Sequence, residues 1–496
     1  MKINYKLIGL VMFVMMICCV SAASATDVDN ITVPDDTDVI EIDEAVESVD
    51  AVENDELSDD VVTSEESKVP TTQTRNTVDV YPFNYLTYFD TNGYTTTSNN
   101  LNFIGIFSAQ SFGNFKINNS VNITASSATF NNIGFDLLKS DITLNGATII
   151  MNAPANSNCI AINIENSNNT KILDNKITYT CNNDNAAYYN YVIKAKNSEK
   201  VTISGNKINA TLPLKTVTWS ASGIDADYVA GVAIQDCDKI NFTGNTVNIT
   251  GNRRVGLYPT LDAVMIVSSD NAYVGDNKIY LTDTVTATGQ YSYIYGIDVY
   301  QCNNIVINNN TVDMNGNKSG GNLVGGNGTG AAYCIQLTGS HVGVVISDNT
   351  LTTKNNGPNL GIYSQNYYGT TNLTIYGNTI KVSGKAGSDP WSLVSGMELQ
   401  DTYAKVYNNT ICVNNTAGYL SGNCAYGISY VQTTSGSHYY DVENNTVKVY
   451  NGDYAVYLSS PATGIIQGNN LTAIGNTTKT GNSAIYAPGI TPGSNP

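Results

Sequence analysis

Histidine occurs only twice in these 496 residues, tryptophan twice, and arginine only at Arg75, Arg253 and Arg254. Two imidazoles, His341 and His438, and no CxxC pair cannot assemble the Cys/His ligand set of a structural zinc site. Three arginines under a net charge of −18 leave no basic patch for a nucleic-acid backbone. Charged residues amount to only 13% and strong helix formers are scarce, a balance that favours β-structure with tight turns over helix. Beyond Val20 no run is apolar enough to cross a bilayer as a helix. Seven cysteines follow residue 25: Cys159, Cys181, Cys237, Cys302, Cys334, Cys412 and Cys424. Their odd number and irregular spacing exclude a disulfide framework, so most are expected as small buried hydrophobes. Nothing in the composition implies a cofactor or a metal ion.

The negative charge is concentrated near the N-terminus. Lys2 and Lys6 flank an apolar run from Leu7 to Val20, and Ala23-Ser24-Ala25 offers small residues for cleavage. Residues 1–25 therefore read as a signal peptide. Residues 26–68 hold 17 acidic residues, one basic residue and no aromatic residue, the composition of a disordered, self-repelling spacer. Without that stretch and the two leading lysines, the chain carries only −4. The protein is thus expected to be secreted or held at the cell surface, with no transmembrane segment after signal cleavage. Residues 69–100 read as a linker and N-terminal cap, and the Pro/Gly-rich 476–496 as a flexible C-terminal linker.

Residues 101–475 repeat. A six-residue pattern (aliphatic, two variable residues, Asn, one variable residue, aliphatic) recurs ten times, from ILDNKI at Ile172 to IQGNNL at Ile466. It aligns Asn175, Asn206, Asn245, Asn277, Asn310, Asn349, Asn378, Asn409, Asn445 and Asn469. A short strand precedes each copy and often opens with glycine, as in GIDVY at Gly296 and GMELQ at Gly396. From the first aliphatic residue of that strand to the Asn the step is 13 residues in six of the ten copies. Apolar and polar residues alternate through three strands per unit, as half-buried strands require. Stacked at about 4.8 Å per unit, such strands form a solenoid. The repeated Asn falls at the bend between the second and third strands. There it tolerates a left-handed conformation and can hydrogen-bond from coil to coil.

These repeats resemble the right-handed parallel β-helices of the pectate lyase-like superfamily, in which an asparagine ladder occupies the same turn. TYFDTNGY (Thr87–Tyr94), with the signal and acidic spacer, resembles adhesin-like surface proteins of methanogenic archaea. The implied fold class is all-β: a single-stranded right-handed parallel β-helix with three short strands per coil and a disordered acidic N-terminal spacer.

The outward positions of the first strand form two columns. One includes Asp298, Gln336, Tyr363, Glu398 and Tyr457, and the other includes Tyr300. Tyrosine faces stack on sugar rings while amides and carboxylates bind hydroxyls, so these six are the candidate ligand-binding residues. The longest insertions, near Thr211–Val229 and Asn315–Ala332, leave from one corner and should border this face.

An adhesin-like role binding polysaccharide or protein on partner surfaces fits these features. A polysaccharide lyase or glycoside hydrolase, or a structural envelope component, are the alternatives. Against an enzyme, Asp298 and Glu398 stand three coils, about 14 Å, apart, whereas a glycosidase pair is about 5–9.5 Å apart. Asp225, Asp227 and Asp270 are the loop carboxylates that could supply a closer partner. Lyases of the superfamily are expected to cluster calcium-binding Asp residues with an Arg or Lys, and no arginine here falls on the ladder. Sixteen Asn-x-Ser/Thr sequences, Asn122, Asn248 and Asn372 among their acceptors, are glycan sites in a secreted chain. Those overlapping the ladder are expected to stay unmodified, because a stacked Asn is inaccessible.

Overall fold

The computed structural model describes residues 75–495 apart from 155–157, 183–187, 217–228, 256–258, 285–291, 317–330, 356, 366–371, 387–392, 420–424, 432–438 and 460. The expected signal peptide and acidic spacer therefore lie outside the described residues, as do His438, Cys424, Asp225, Asp227 and most of the two long insertions. Among the described residues no helix is long and apolar enough to cross a membrane.

The described chain is a parallel β-helix. One complete coil runs through Tyr293–Tyr300, Val306–Asn308 and Thr311–Asn315. Each strand pairs in parallel with its counterpart one coil on, at Ala331–Thr338, Val344–Ser347 and Thr350–Lys354. Three inward columns fill the interior. One runs from Ile162 through Ile297 to Val456, one from Ile172 through Ile307 to Ile466, and one from Ile177 through Val312 to Leu471. The members named are at most 1% exposed. FKINNSVNIT and SDITLNGATIIM supply earlier coils, with Phe115 paired to Phe135 and Phe135 to Ile162.

The ladder runs along the turn between the second and third strands. The Oδ1 of Asn310 accepts both the backbone N–H and the Nδ2 of Asn277, at 3.0 and 2.9 Å. Its own N–H and Nδ2 donate to Asn349 Oδ1, at 2.9 and 3.0 Å, and Nδ2 also reaches the carbonyl of Val274. The same exchange continues to Asn469, and each ladder Asn is essentially buried. One detail of the expected geometry changes. The left-handed residue is the one before the ladder Asn: Asp276, Asn309, Asp348, Asn408 and Asn444 have φ between 52° and 57°, and glycine fills that place at Gly205, Gly244, Gly377 and Gly468. The αL residue turns the chain, and the Asn that follows aims its amide along the helix axis.

Both ends are closed. Phe89, of the TYFDTNGY segment, is 1% exposed and packs 4.7 Å from Phe115 over a group that includes Phe103, Phe130 and Phe135. Asp90 Oδ1 accepts the N–H groups of Asn92 and Tyr94 and shapes that turn. At the other end the structure corrects the expected flexible linker over 476–496. Thr478–Thr480 folds back antiparallel on Asn470–Ile474, Ile485–Tyr486 pairs with Val456 and Tyr457, and Asn495 accepts from Asn469 as an eleventh ladder member. An open last coil would leave its backbone groups unpaired, and the Pro/Gly-rich tail provides the bends that cover them.

Replacing Asn310 by Ala removes the acceptor of two buried donors and a donor from a buried carbonyl. This should cost about 2–4 kcal/mol in urea unfolding, well above the loss for Asn495→Ala at the open end. Equal, small losses at both positions would count against the ladder as the main constraint on the turn.

Candidate functional site

The first strands place the predicted column as expected. Met265 pairs with Asp298, Asp298 with Gln336, Gln336 with Tyr363, Tyr363 with Glu398, Glu398 with Ser429 and Ser429 with Tyr457. Tyr300 lies in the second column between Val267 and Thr338. Burial is far deeper than a solvent-facing ladder implies. Asp298 and Gln336 are 9% exposed and Glu398 8%, while Tyr300, Tyr363 and Tyr457 are half-buried.

A third outward column went unread in the sequence: Tyr191, Ala230, Asp262, Tyr295, Tyr333, Leu360, Ser395, Tyr426 and Tyr454. Strict alternation from Val264 points Asp262 into the core. However, parallel pairing skips one position per coil, including Ala263, Gly296, Cys334 and Gly361. There two successive residues face inward while the register between coils is kept. At Gly296 a Cβ would lie 2.5 Å from the Cys334 carbonyl oxygen and 2.5 Å from Val312 Cγ1. Only a small residue fits there, and the parity of the strand reverses across it. The glycine opening so many of these strands was the available signal.

The face divides in two. In the earlier coils Tyr191, Ala230, Ala233 and Met265 form a buried apolar cluster separate from the main core. In the middle coils carboxyls and tyrosines take over. Tyr295 stacks on Tyr333 at 5.2 Å and on Tyr293 at 6.4 Å, and Tyr363 meets Tyr333 edge-on at 5.6 Å. In the last coils Tyr457 lies between Tyr426 at 4.4 Å and Tyr486 at 5.3 Å. Tyr486 is 43% exposed, and Lys479 Nζ sits 4.0 Å from the Tyr454 ring centre.

Three acids in the middle coils are held towards their neutral forms. Burial pushes the Asp298 carboxyl up to about 7, against a hydrogen bond from Gln336 that lowers it. Burial raises Glu398 to about 7 as well, and Gln400 Nε2 donates to its Oε1 at 2.5 Å. Asp262, 2% exposed, is raised well above the usual carboxylate range by burial and then by the neighbouring Asp298 charge. One oxygen each of Asp262 and Asp298 has no hydrogen-bond partner among the described residues. Asp298 therefore has a second carboxyl group beside it from the adjacent coil, which the Asp298–Glu398 spacing did not reveal.

Asp270 is no partner for Asp298, since it accepts the Asn303 N–H at the following turn. That turn carries a second ladder. Ser167 N–H donates to Ser198 Oγ, Cys237 N–H to Ser269 Oγ, and Ser269 N–H to Cys302 Sγ. His341, 1% exposed, sets its Nδ1 3.3 Å from Cys302 N and 2.9 Å from the Cys302 carbonyl oxygen. Burial lowers its pKa and keeps the ring neutral. His341, Cys237 and Cys302 thus satisfy turn amides, and burial pushes the two thiols up to about 11 and about 12, which makes them poor nucleophiles.

No family profile and no curated protein matches the chain. Among solved structures it is similar to a periplasmic alginate epimerase, 12% identical with a TM-score of 0.36, over 79% of this chain and 82% of that one. It is also similar to a surface adhesin of Streptococcus pneumoniae, 14% identical with a TM-score of 0.32, over 69% and 86%. An alginate lyase is 11% identical with a TM-score of 0.27, over 77% and 91%.

A carboxyl titrating near 7 in the fold and near 3.8 in the unfolded chain stabilises fully only below about pH 4. That contribution is lost as pH rises towards 7. The gap corresponds to roughly 4 kcal/mol as an upper bound. Asp298→Asn should therefore raise the thermal midpoint by several degrees at pH 8.5 and change it little at pH 3.5. The same shift at both pH values would show that Asp298 is not held neutral.

Proposed function

We propose that this is a secreted or cell-surface binding protein of the adhesin type, using its first-strand face to hold a polysaccharide or a partner-cell surface. The observation that supports this reading most is the strip of half-buried tyrosines, buried amides and near-neutral carboxyls aligned over successive coils. Rings offer apolar faces to sugars, and neutral carboxyls and amides donate and accept hydrogen bonds without the cost of burying a charge. A rigid solenoid presents such groups about 4.8 Å apart, a spacing suited to an extended polymer. Asp298, Tyr300, Gln336, Tyr363, Glu398 and Tyr457 are the proposed contacts, joined by Tyr295, Tyr333 and Tyr486.

A glycan-array screen of the secreted chain should give hits that weaken at least tenfold in Tyr363→Ala and Tyr457→Ala. Undiminished binding in both would remove this face from consideration.

One observation favours an enzymatic reading: Asp262 and Asp298 are neighbouring buried acids with raised pKa values, an arrangement that separates a protonated acid from an ionised base. On that reading new reducing or unsaturated ends appear on a bound glycan, and Asp262→Asn and Asp298→Asn each abolish them while binding persists. Binding without any cleavage by the parent protein rejects it.

A further inference from the structure

Thirteen of the sixteen Asn-x-Ser/Thr acceptors fall on described residues, and none lies on a first strand. All of these except Asn248 are exposed, among them the six acceptors Asn122, Asn241, Asn372, Asn408, Asn444 and Asn470. Asn122, Asn241 and Asn372 open second strands, and Asn470 opens a third strand. In these strands the acceptor and the Thr two residues on share the outer face. The residue between them, Ile123, Phe242, Leu373 or Leu471, is at most 1% exposed.

Asn408 and Asn444 correct the expectation for sequences that overlap the ladder. In Asn408-Asn409-Thr410 and Asn444-Asn445-Thr446 the acceptor is the first Asn, and the buried ladder Asn is only the middle residue. Both acceptors are the left-handed turn residues, at φ 56°, with their side chains at the surface. Ladder and acceptor are separate residues on opposite sides of one turn.

We propose that this chain is N-glycosylated at these turn and strand asparagines, so that glycans cover the second- and third-strand sides of the solenoid and the first strands themselves carry none. The proposal rests on the secretion reading. The donor class is an oligosaccharide linked to a polyisoprenyl phosphate or diphosphate, used by a membrane transferase. The Asn Nδ2 attacks the anomeric carbon and an N–C bond forms. The sugar C–O bond to phosphate breaks, the lipid phosphate leaves with the electron pair, and the amide proton passes to a base of the transferase. None of the six acceptors donates its side-chain amide to another described residue, so the modification removes no bond that the fold needs.

The test is site mapping by mass spectrometry of the full chain from its own cells, with N-terminal sequencing of the same sample. Expected are a processed N-terminus, added sugar mass at Asn372, Asn408 and Asn444, none on Asn409 or Asn445, and none on first-strand peptides. Thr410→Val with Thr446→Val, which break the acceptor sequences at exposed strand positions and leave the left-handed asparagines in place, should remove the mass at Asn408 and Asn444 with little change in the thermal midpoint of the chain. A processed N-terminus with no added mass overturns the glycan proposal and leaves secretion standing. An unprocessed, unmodified chain overturns both. Sugar on first-strand peptides overturns the claim that the first strands carry none.

Discussion

Each coil must bend sharply between its second and third strands, and the backbone amides at that bend are buried, where an unpaired donor costs more than the bond itself gains. The asparagine ladder meets this demand. Each Oδ1 takes two N–H groups from the preceding coil, and each Nδ2 donates along the helix axis, as between Asn277, Asn310 and Asn349. The left-handed residue and the ladder residue do different work, so Asp, Asn or Gly can alternate at the first position while the second stays Asn. Register follows. With one residue pinned per coil, the strands on either side can slip only by breaking the ladder, and the outer columns inherit that alignment.

The other turn solves the same problem with other side chains. Ser198, Cys237, Ser269, Cys302 and His341 accept amides of the coil before them. This gives two cysteines and one histidine a structural role that a reactive reading would miss. Hydroxyl, thiol and imidazole groups can substitute for one another there because each offers one acceptor to one N–H, whereas the asparagine turn needs an acceptor and two donors together.

The first strand breaks its own alternation. A residue small enough to lie against the next coil's carbonyl turns the chain inward twice in succession, as at Gly296 and Ile297, and swings Asp262, Tyr295 and Tyr333 to the outer face. Acids and rings thereby gather where simple alternation predicts core. Their environment then changes their chemistry. Asp298 and Glu398 would ionise at ordinary acidic values on an open sheet, but burial holds both near neutrality.

From the sequence alone came the coil, the ten ladder positions and the pairing order of the first-strand column, because each depends on residue type at a fixed spacing. Parallel stacking repeats that spacing at every coil, so a local pattern becomes a global one. Tertiary structure alone decided which neighbours the column acquires, how deeply it is buried and how its ends close. Asp262 is 36 residues from Asp298 in the chain and one coil away in space, and the break in alternation at Ala263 puts both on the outer face. Asn495 joins the ladder from a tail with no repeat at all, because the open end of the helix offered its unpaired amides to whichever segment could reach them. Such outcomes depend on burial and on bonds between distant residues, which residue spacing does not encode.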